Sequence, residues 1–197
     1  MKRLFAALAL VTTPALSSTN PLSLEAQAFA GGSRGPRDAT ARYVTIDLLY
    51  DPFRRLTEAL ETVEGIKLKT RGEAHITLLT PPEFDVLAKH LVDSEIRSAF
   101  DKLASDTPGS RAAEPICVGM GKLGAAKTFY VVVKYPAAFR ARQLLAKKFQ
   151  ASGGDATEFK PDAYYPHVTL GFTDRDLHLE DGVIKDARSC LHKLSNR

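Results

Sequence analysis

Two rhythms of apolar and polar residues run through the chain. Period-two alternation in short apolar runs marks strands, and apolar residues three and four apart mark helices. Tyr43 to Tyr50 has strand composition, and Ala74 to Leu79 forms a second apolar run. Between them Asp51-Pro52 opens a helix, with proline suited to the first helical position. Phe53, Leu56, Leu60 and Val63 follow at helical spacing until Gly65 ends it. Pro81-Pro82 stops the second strand, after which Phe84 to His90 and Ser94 to Ala104 read as helices and 106–111 as a turn. Pro115 to Leu123 and Thr128 to Tyr135 are strands around a Gly124-to-Lys127 hairpin. Pro136 to Gln150 is a helix with a basic face, broken by Ser152-Gly153-Gly154, and a further strand follows Tyr164-Tyr165-Pro166. The tail from Asp174 reads as a loop, a strand around Val183-Ile184 and a short terminal helix. This order predicts an α+β fold of two related halves.

The N-terminus changes the picture of where the fold begins. Lys2 and Arg3 precede an apolar run, Leu4 to Val11, that is too short to span a bilayer. Ala28-Phe29-Ala30 then supplies an Ala-x-Ala cleavage pattern, the layout of a secretory signal peptide. The expectation is a signal peptide over 1–30, a flexible lead-in over 31–41 and a single two-lobed domain over 42–197. An earlier cleavage, near Ala15 to Ser18, fits the same layout. The protein is expected to be secreted or periplasmic, with no membrane association in its mature form and no obligate protein partner evident.

Charge adds little to this. The 197 residues carry a formal charge of +4. Lys2, Arg3 and Glu25 leave with the leader, so the remainder stands near +3, mild enough for a domain that binds a small anion. There is no lysine/arginine block of the kind a long nucleic-acid track requires. Cys117 and Cys190 are the two cysteines. Export would allow them to pair, whereas the apolar setting of Cys117 equally fits a buried free thiol.

The candidate chemistry lies in two of the strands. Ala74-His75-Ile76-Thr77-Leu78-Leu79 and Pro166-His167-Val168-Thr169-Leu170-Gly171 share histidine, an aliphatic residue, threonine and leucine in that order, 92 positions apart. On a strand, residues two apart share a face. His75 and Thr77 therefore project together, as do His167 and Thr169, while Ile76, Leu78, Val168 and Leu170 anchor the opposite faces. One His-x-Thr pair recurs by chance and a lone strand histidine is usually structural; two matched pairs point to one shared site.

The pair of motifs resembles the signature of the two-histidine (2H) phosphoesterase superfamily, over roughly Tyr43 to the C-terminal region. The wider Tyr-Tyr-Pro-His-Val-Thr-Leu-Gly-Phe-Thr-Asp-Arg-Asp run is similar to its "Swiss Army Knife" branch, associated with RNA repair. The resemblance implies a two-lobed fold with two antiparallel sheets lining a central cleft and helices outside. It also implies action on a 2′,3′-cyclic phosphate or other 2′-linked phosphodiester in a nucleotide or RNA end.

The residues themselves suit that chemistry. Two histidines flanking one phosphorus can divide the work, one neutral as base and one charged as acid, because imidazole titrates near neutral pH. Threonine hydroxyls two residues away can hydrogen-bond the non-bridging oxygens. His75, Thr77, His167 and Thr169 are thus the catalytic candidates, with either histidine as the base. Tyr165 is the candidate to stack on a substrate base, packing at a strand entrance being its ordinary alternative. His90 and His192 read as structural, and His178 as an ordinary loop residue, with reach into the cleft as its alternative. Lys127, Lys160, Arg175 and the helix cations Arg140, Arg142, Lys147 and Lys148 read as solvated surface. No metal or cofactor is called for, since neither HExxH nor a comparable carboxylate–histidine cluster is present. A second reading from another class is a secreted nucleotide- or RNA-binding module without turnover.

Overall fold

Each half of the fold is a strand, a helix and a returning strand. The computed structural model describes residues 22–29, 32–36, 38, 40–103 and 113–196. The expected turn at 106–111 and most of the leader lie outside the described residues. Two short strands come first, β1 (Ser23–Leu24) and β2 (Ser33–Gly35), followed by β3 (Val44–Leu48). Helix α1 (Tyr50–Glu64) buries Phe53, Leu56, Thr57 and Leu60 and ends at Gly65, whose φ of 63° suits a residue without a side chain. Pro52 is its third residue instead of its first, where an absent N–H still costs no intrahelical bond. Val63 is 42% exposed, off the core face expected for it. β4 (Ala74–Leu79) carries the first motif.

The prolines after β4 start a helix as well as stopping a strand. α2 (Pro81–Leu87) begins at Pro81 because Thr80 caps it, its N–H donating to the Glu83 carboxylate at 2.9 Å. α3 (Asp93–Ser98) follows. The hairpin of β5 (Glu114–Leu123) and β6 (Ala126–Lys134) turns over Gly124 and Ala125 alone, tighter than expected. α4 (Pro136–Ala151) leads through a long loop to β7 (His167–Phe172), the second motif strand. The tail differs from expectation: Val183-Ile184 is irregular, and the chain closes with β8 (Cys190–Lys193) and β9 (Ser195–Asn196) instead of a helix.

Two antiparallel sheets result, ordered β2-β3-β4 and β7-β6-β5-β8, with a small parallel pair β1-β9 beside them. β4 pairs with β3, the strand before its helix, and β7 pairs with β6 in the same way. The two halves thus share a topology that the sequence shows only as matching element order. Ile76, Leu78, Val168 and Leu170 enter one continuous core with α1, α2 and α4, as the alternation predicted. The far side of the four-stranded sheet carries a second small cluster of Cys117, Tyr130, Val132, Leu177 and Val183. Cys117 and Cys190 are disulfide-bonded, with Cα atoms 5.7 Å apart, joining β5 to β8.

One surface assignment changes. Arg142, expected on a solvated helix face, is wholly buried. Leu22, Leu24 and Ala28, assigned to the leader, are buried in the main core, and β1 pairs with β9.

Candidate active site

The motif side chains occupy the sides of β4 and β7 that face away from the main core. His75, Thr77, His167 and Thr169 are all half-buried, alternating with buried neighbours as a strand requires. The strands belong to different sheets yet lie against each other. Lys69, before β4, and Phe172, at the end of β7, exchange backbone hydrogen bonds of 2.8 and 3.0 Å and so bridge the two sheets. Arg71 reaches across the same seam to Asp176, 3.1 Å away.

His167 is the more constrained imidazole. Its Nδ1 lies 2.7 Å from the Tyr165 carbonyl, so Nδ1 carries the proton and Nε2 the lone pair in the neutral ring. Nε2 in turn lies 3.2 Å from the Lys185 ammonium. Tyr130 packs edge-on at 5.8 Å between ring centroids. Burial first, and the Lys185 charge second, push the His167 pKa down to about 3. Lys185 is only 3% exposed and donates to Asp176 at 3.1 Å. Asp176 also faces Thr169, whose hydroxyl lies 3.4 Å from Oδ2.

His75 sits among carboxylates. Asp47 is its cross-strand neighbour on β3, and Glu73 Oε1 lies 3.4 Å from its Nδ1. Burial lowers its proton affinity, while Glu73, Asp47 and Asp176 raise it and Arg71 lowers it; the balance falls below the ordinary histidine value. Asp176 therefore acts electrostatically on both histidines, one from each motif. Its own carboxyl stays below the ordinary range because Lys185, His178 and Arg71 outweigh the effect of burial.

The other candidates separate cleanly. Tyr165 is half-buried and holds His167 through its backbone carbonyl, a contact independent of its ring. His178 Nε2 stands 4.0 Å from Asp176, at the edge of the group. His90 meets the Ser152 carbonyl and the Phe149 ring, and His192 pairs with Glu64 at 2.6 Å; neither joins the motif histidines. Arg175 is taken by Asp181 in a two-pronged pair at 2.6 and 2.8 Å. Lys127 pairs through its backbone with Thr173, and the Lys160 carbonyl accepts from Arg142.

Asp47, Arg71, Asp176 and Lys185 were not singled out from sequence. Asp47 becomes the neighbour of His75 only through the register of β3 against β4, which no local pattern in the sequence specifies. Lys185 had no signal either, because a lysine in a short apolar tail is ordinarily exposed.

Neither a curated protein nor a solved structure matches the chain. The family model described as "Swiss Army Knife, 2H phosphoesterase domain" matches residues 43–178, a span that begins at β3, contains both motifs and ends at His178. With well over half of the chain matched, and with its two His-x-Thr strands drawn from separate sheets to one seam, the protein belongs to the Swiss Army Knife family of 2H phosphoesterases.

Proposed function

We propose that this hydrolase hydrolyses or opens a cyclic or 2′-linked phosphodiester in a nucleotide or RNA end. The observation that carries the reading is the meeting of the two motif strands, with both imidazoles in the field of one carboxylate, Asp176, and the Thr169 hydroxyl 3.4 Å from it. His75 and His167 transfer the protons, and Thr77 and Thr169 hydrogen-bond the non-bridging oxygens. Tyr165, at the entry to β7, offers a ring on which a base can stack. A water oxygen attacks phosphorus and loses its proton to one histidine, while the P–O bond to the leaving oxygen breaks and that oxygen takes a proton from the other.

The test is a panel of 2′,3′-cyclic nucleotides and 2′,5′-linked dinucleotides, offered to the purified protein with and without EDTA. Turnover of at least one of them is expected, undiminished by EDTA, since two histidines supply both proton transfers. Tight nucleotide binding without turnover would replace this reading with a binding module.

We further propose that the protein is exported and that the leader is cut before Leu22, at the earlier site near Ala15 to Ser18. The disulfide supports an oxidising compartment. Burial of Leu22 and Leu24 supports the earlier cut, since removing residues 1–30 would strip both from the core. At roughly 1.5–3 kcal/mol for each fully buried leucine, a chain starting at Gly31 should lose about 3–6 kcal/mol as an upper estimate. Denaturant melts of chains starting at Ser18 and at Gly31 measure this, and equal stabilities would restore cleavage after Ala30.

A further inference from the structure

The segment between His178 and β8 lies beyond the family match, yet it delivers a charged side chain into the site. Three features of β5 hold that segment. Cys117, Gly119 and Gly121 alternate along one face of the strand, the face of the small second cluster. Cys117 is bonded to Cys190, at the start of β8. A Cβ at Gly121 would collide with Val183, and one at Gly119 would collide with Tyr130 and crowd Ser189. The glycines leave the space into which the loop settles, and the disulfide ties its far end. Lys185 lies between these anchors.

We propose that Lys185 is a positioning residue for the reaction: it keeps His167 uncharged in its Nδ1–H form, so that His167 is the base and His75 the acid. This inference rests on the phosphoesterase reading above. The geometry is that of a cation aimed at a lone pair. With Nδ1 committed to the Tyr165 carbonyl, Nε2 is the atom left to accept a proton, and the Lys185 ammonium stands beside it. An imidazolium at His167 would face that ammonium across 3.2 Å. The other groups around His167 do not reverse this. Asp176 favours the charged ring, but it is shared by Lys185 at 3.1 Å and Arg71 at 3.1 Å, and His178 adds repulsion when charged. Burial lowers the proton affinity of Lys185, and Arg71 lowers it further; Asp176, in direct contact, favours the ammonium, as does Asp181, itself paired with Arg175.

His75 is also held below the ordinary histidine value, by burial first and by Arg71, but three carboxylates, Glu73, Asp47 and Asp176, oppose that and favour its charged form. The two imidazoles, alike in motif, are thereby set apart, which is how paired titratable groups take distinct acid and base roles. In the reaction the attacking water gives its proton to His167 Nε2 and Lys185 turns wholly to Asp176. The phosphate's negative charge offsets the new imidazolium, so protonation of His167 depends on an anion being bound.

Long-range proton–nitrogen NMR spectra of the disulfide-intact protein test this, comparing the parent with K185Q and K185R, with and without inorganic phosphate. The parent's His167 should show the Nδ1–H form and no inflection between roughly pH 5 and 8. K185Q should bring an inflection into that window, while K185R, keeping the charge, should not. Inorganic phosphate should raise the His167 inflection in the parent more than in K185Q. On the best substrate, the acidic limb of the kcat/KM profile should move to higher pH in K185Q. A base with a depressed pKa stays active as the pH falls, and raising that pKa exposes it to protonation. Unmoved titration and an unmoved acidic limb in a folded, active K185Q protein would overturn the inference and leave the phosphoesterase reading intact. The predicted titration in a protein without turnover would instead sink the phosphoesterase reading, and with it the base assignment.

Discussion

His75→Ala and His167→Ala proteins should each lose roughly 10²–10⁴-fold in turnover, the range typical of general acid–base groups. At 1.36 kcal/mol per decade this is about 3–5 kcal/mol of barrier. The effect should be on chemistry more than on folding. Both side chains stand on the sides of their strands away from the main core, where Ile76, Leu78, Val168 and Leu170 do the packing. Neither loss should be rescued by the other histidine, because acid and base act on different oxygens. Steady-state kinetics on the best cyclic or 2′-linked substrate measure the change, and thermal midpoints near the parent's separate it from unfolding. A His167→Ala protein with full turnover would end the two-histidine mechanism.

Arg142→Met should cost about 3–5 kcal/mol of stability, the range for breaking a buried ion pair by removing one partner. Arg142 is the largest fully buried side chain. It leaves α4 to donate to the Leu78 carbonyl on β4 at 2.7 Å, to Pro161 at 3.1 Å and to Glu83 at 2.6 Å. Its guanidinium lies over the rings of Phe159 and Tyr164, 5.0 and 4.7 Å from their centroids. One side chain thus ties the end of the first motif strand, the cap of α2 and the loop that leads into the second motif strand. Without it, the carbonyls of Leu78, Lys160 and Pro161 and the Glu83 carboxylate lose charge-assisted partners. The urea midpoint reports the loss, and adding Glu83→Gln should recover part of it by removing the orphaned charge. A midpoint equal to the parent's would mean that Arg142 is not the tie described.

Arg142 and Lys185 also show where reading the chain reached its limit. In sequence, Arg142 falls on a helix with Arg140, Lys147 and Lys148, and nothing local distinguishes it from them. Its burial follows from the 159–164 loop folding back over α4, a contact between distant segments that periodicity does not encode. Lys185 belongs to the same class, since its partners Asp176 and His167 become neighbours only after β5 has received the C-terminal loop. The edge of the leader turns on a contact of the same kind. An Ala-x-Ala pattern is a local signal, whereas burial of Leu22 and Leu24 depends on β9, at the other end of the chain.

What the sequence determined by itself was whatever depends on short-range geometry. The period of two placed His75 with Thr77 and His167 with Thr169, and turned their aliphatic neighbours to the core. Spacings of three and four residues marked α1 and α4, and recurrence of one motif in two strands pointed to the family. Tertiary structure decided what depends on two segments meeting. The antiparallel return of each motif strand, the seam made by Lys69 and Phe172, and the pairing of Cys117 with Cys190 are of this kind. So is the difference between the two histidines. Their motifs are alike along the chain, and only the folded protein sets carboxylates around one and an ammonium beside the other, because charges act through space and not through sequence.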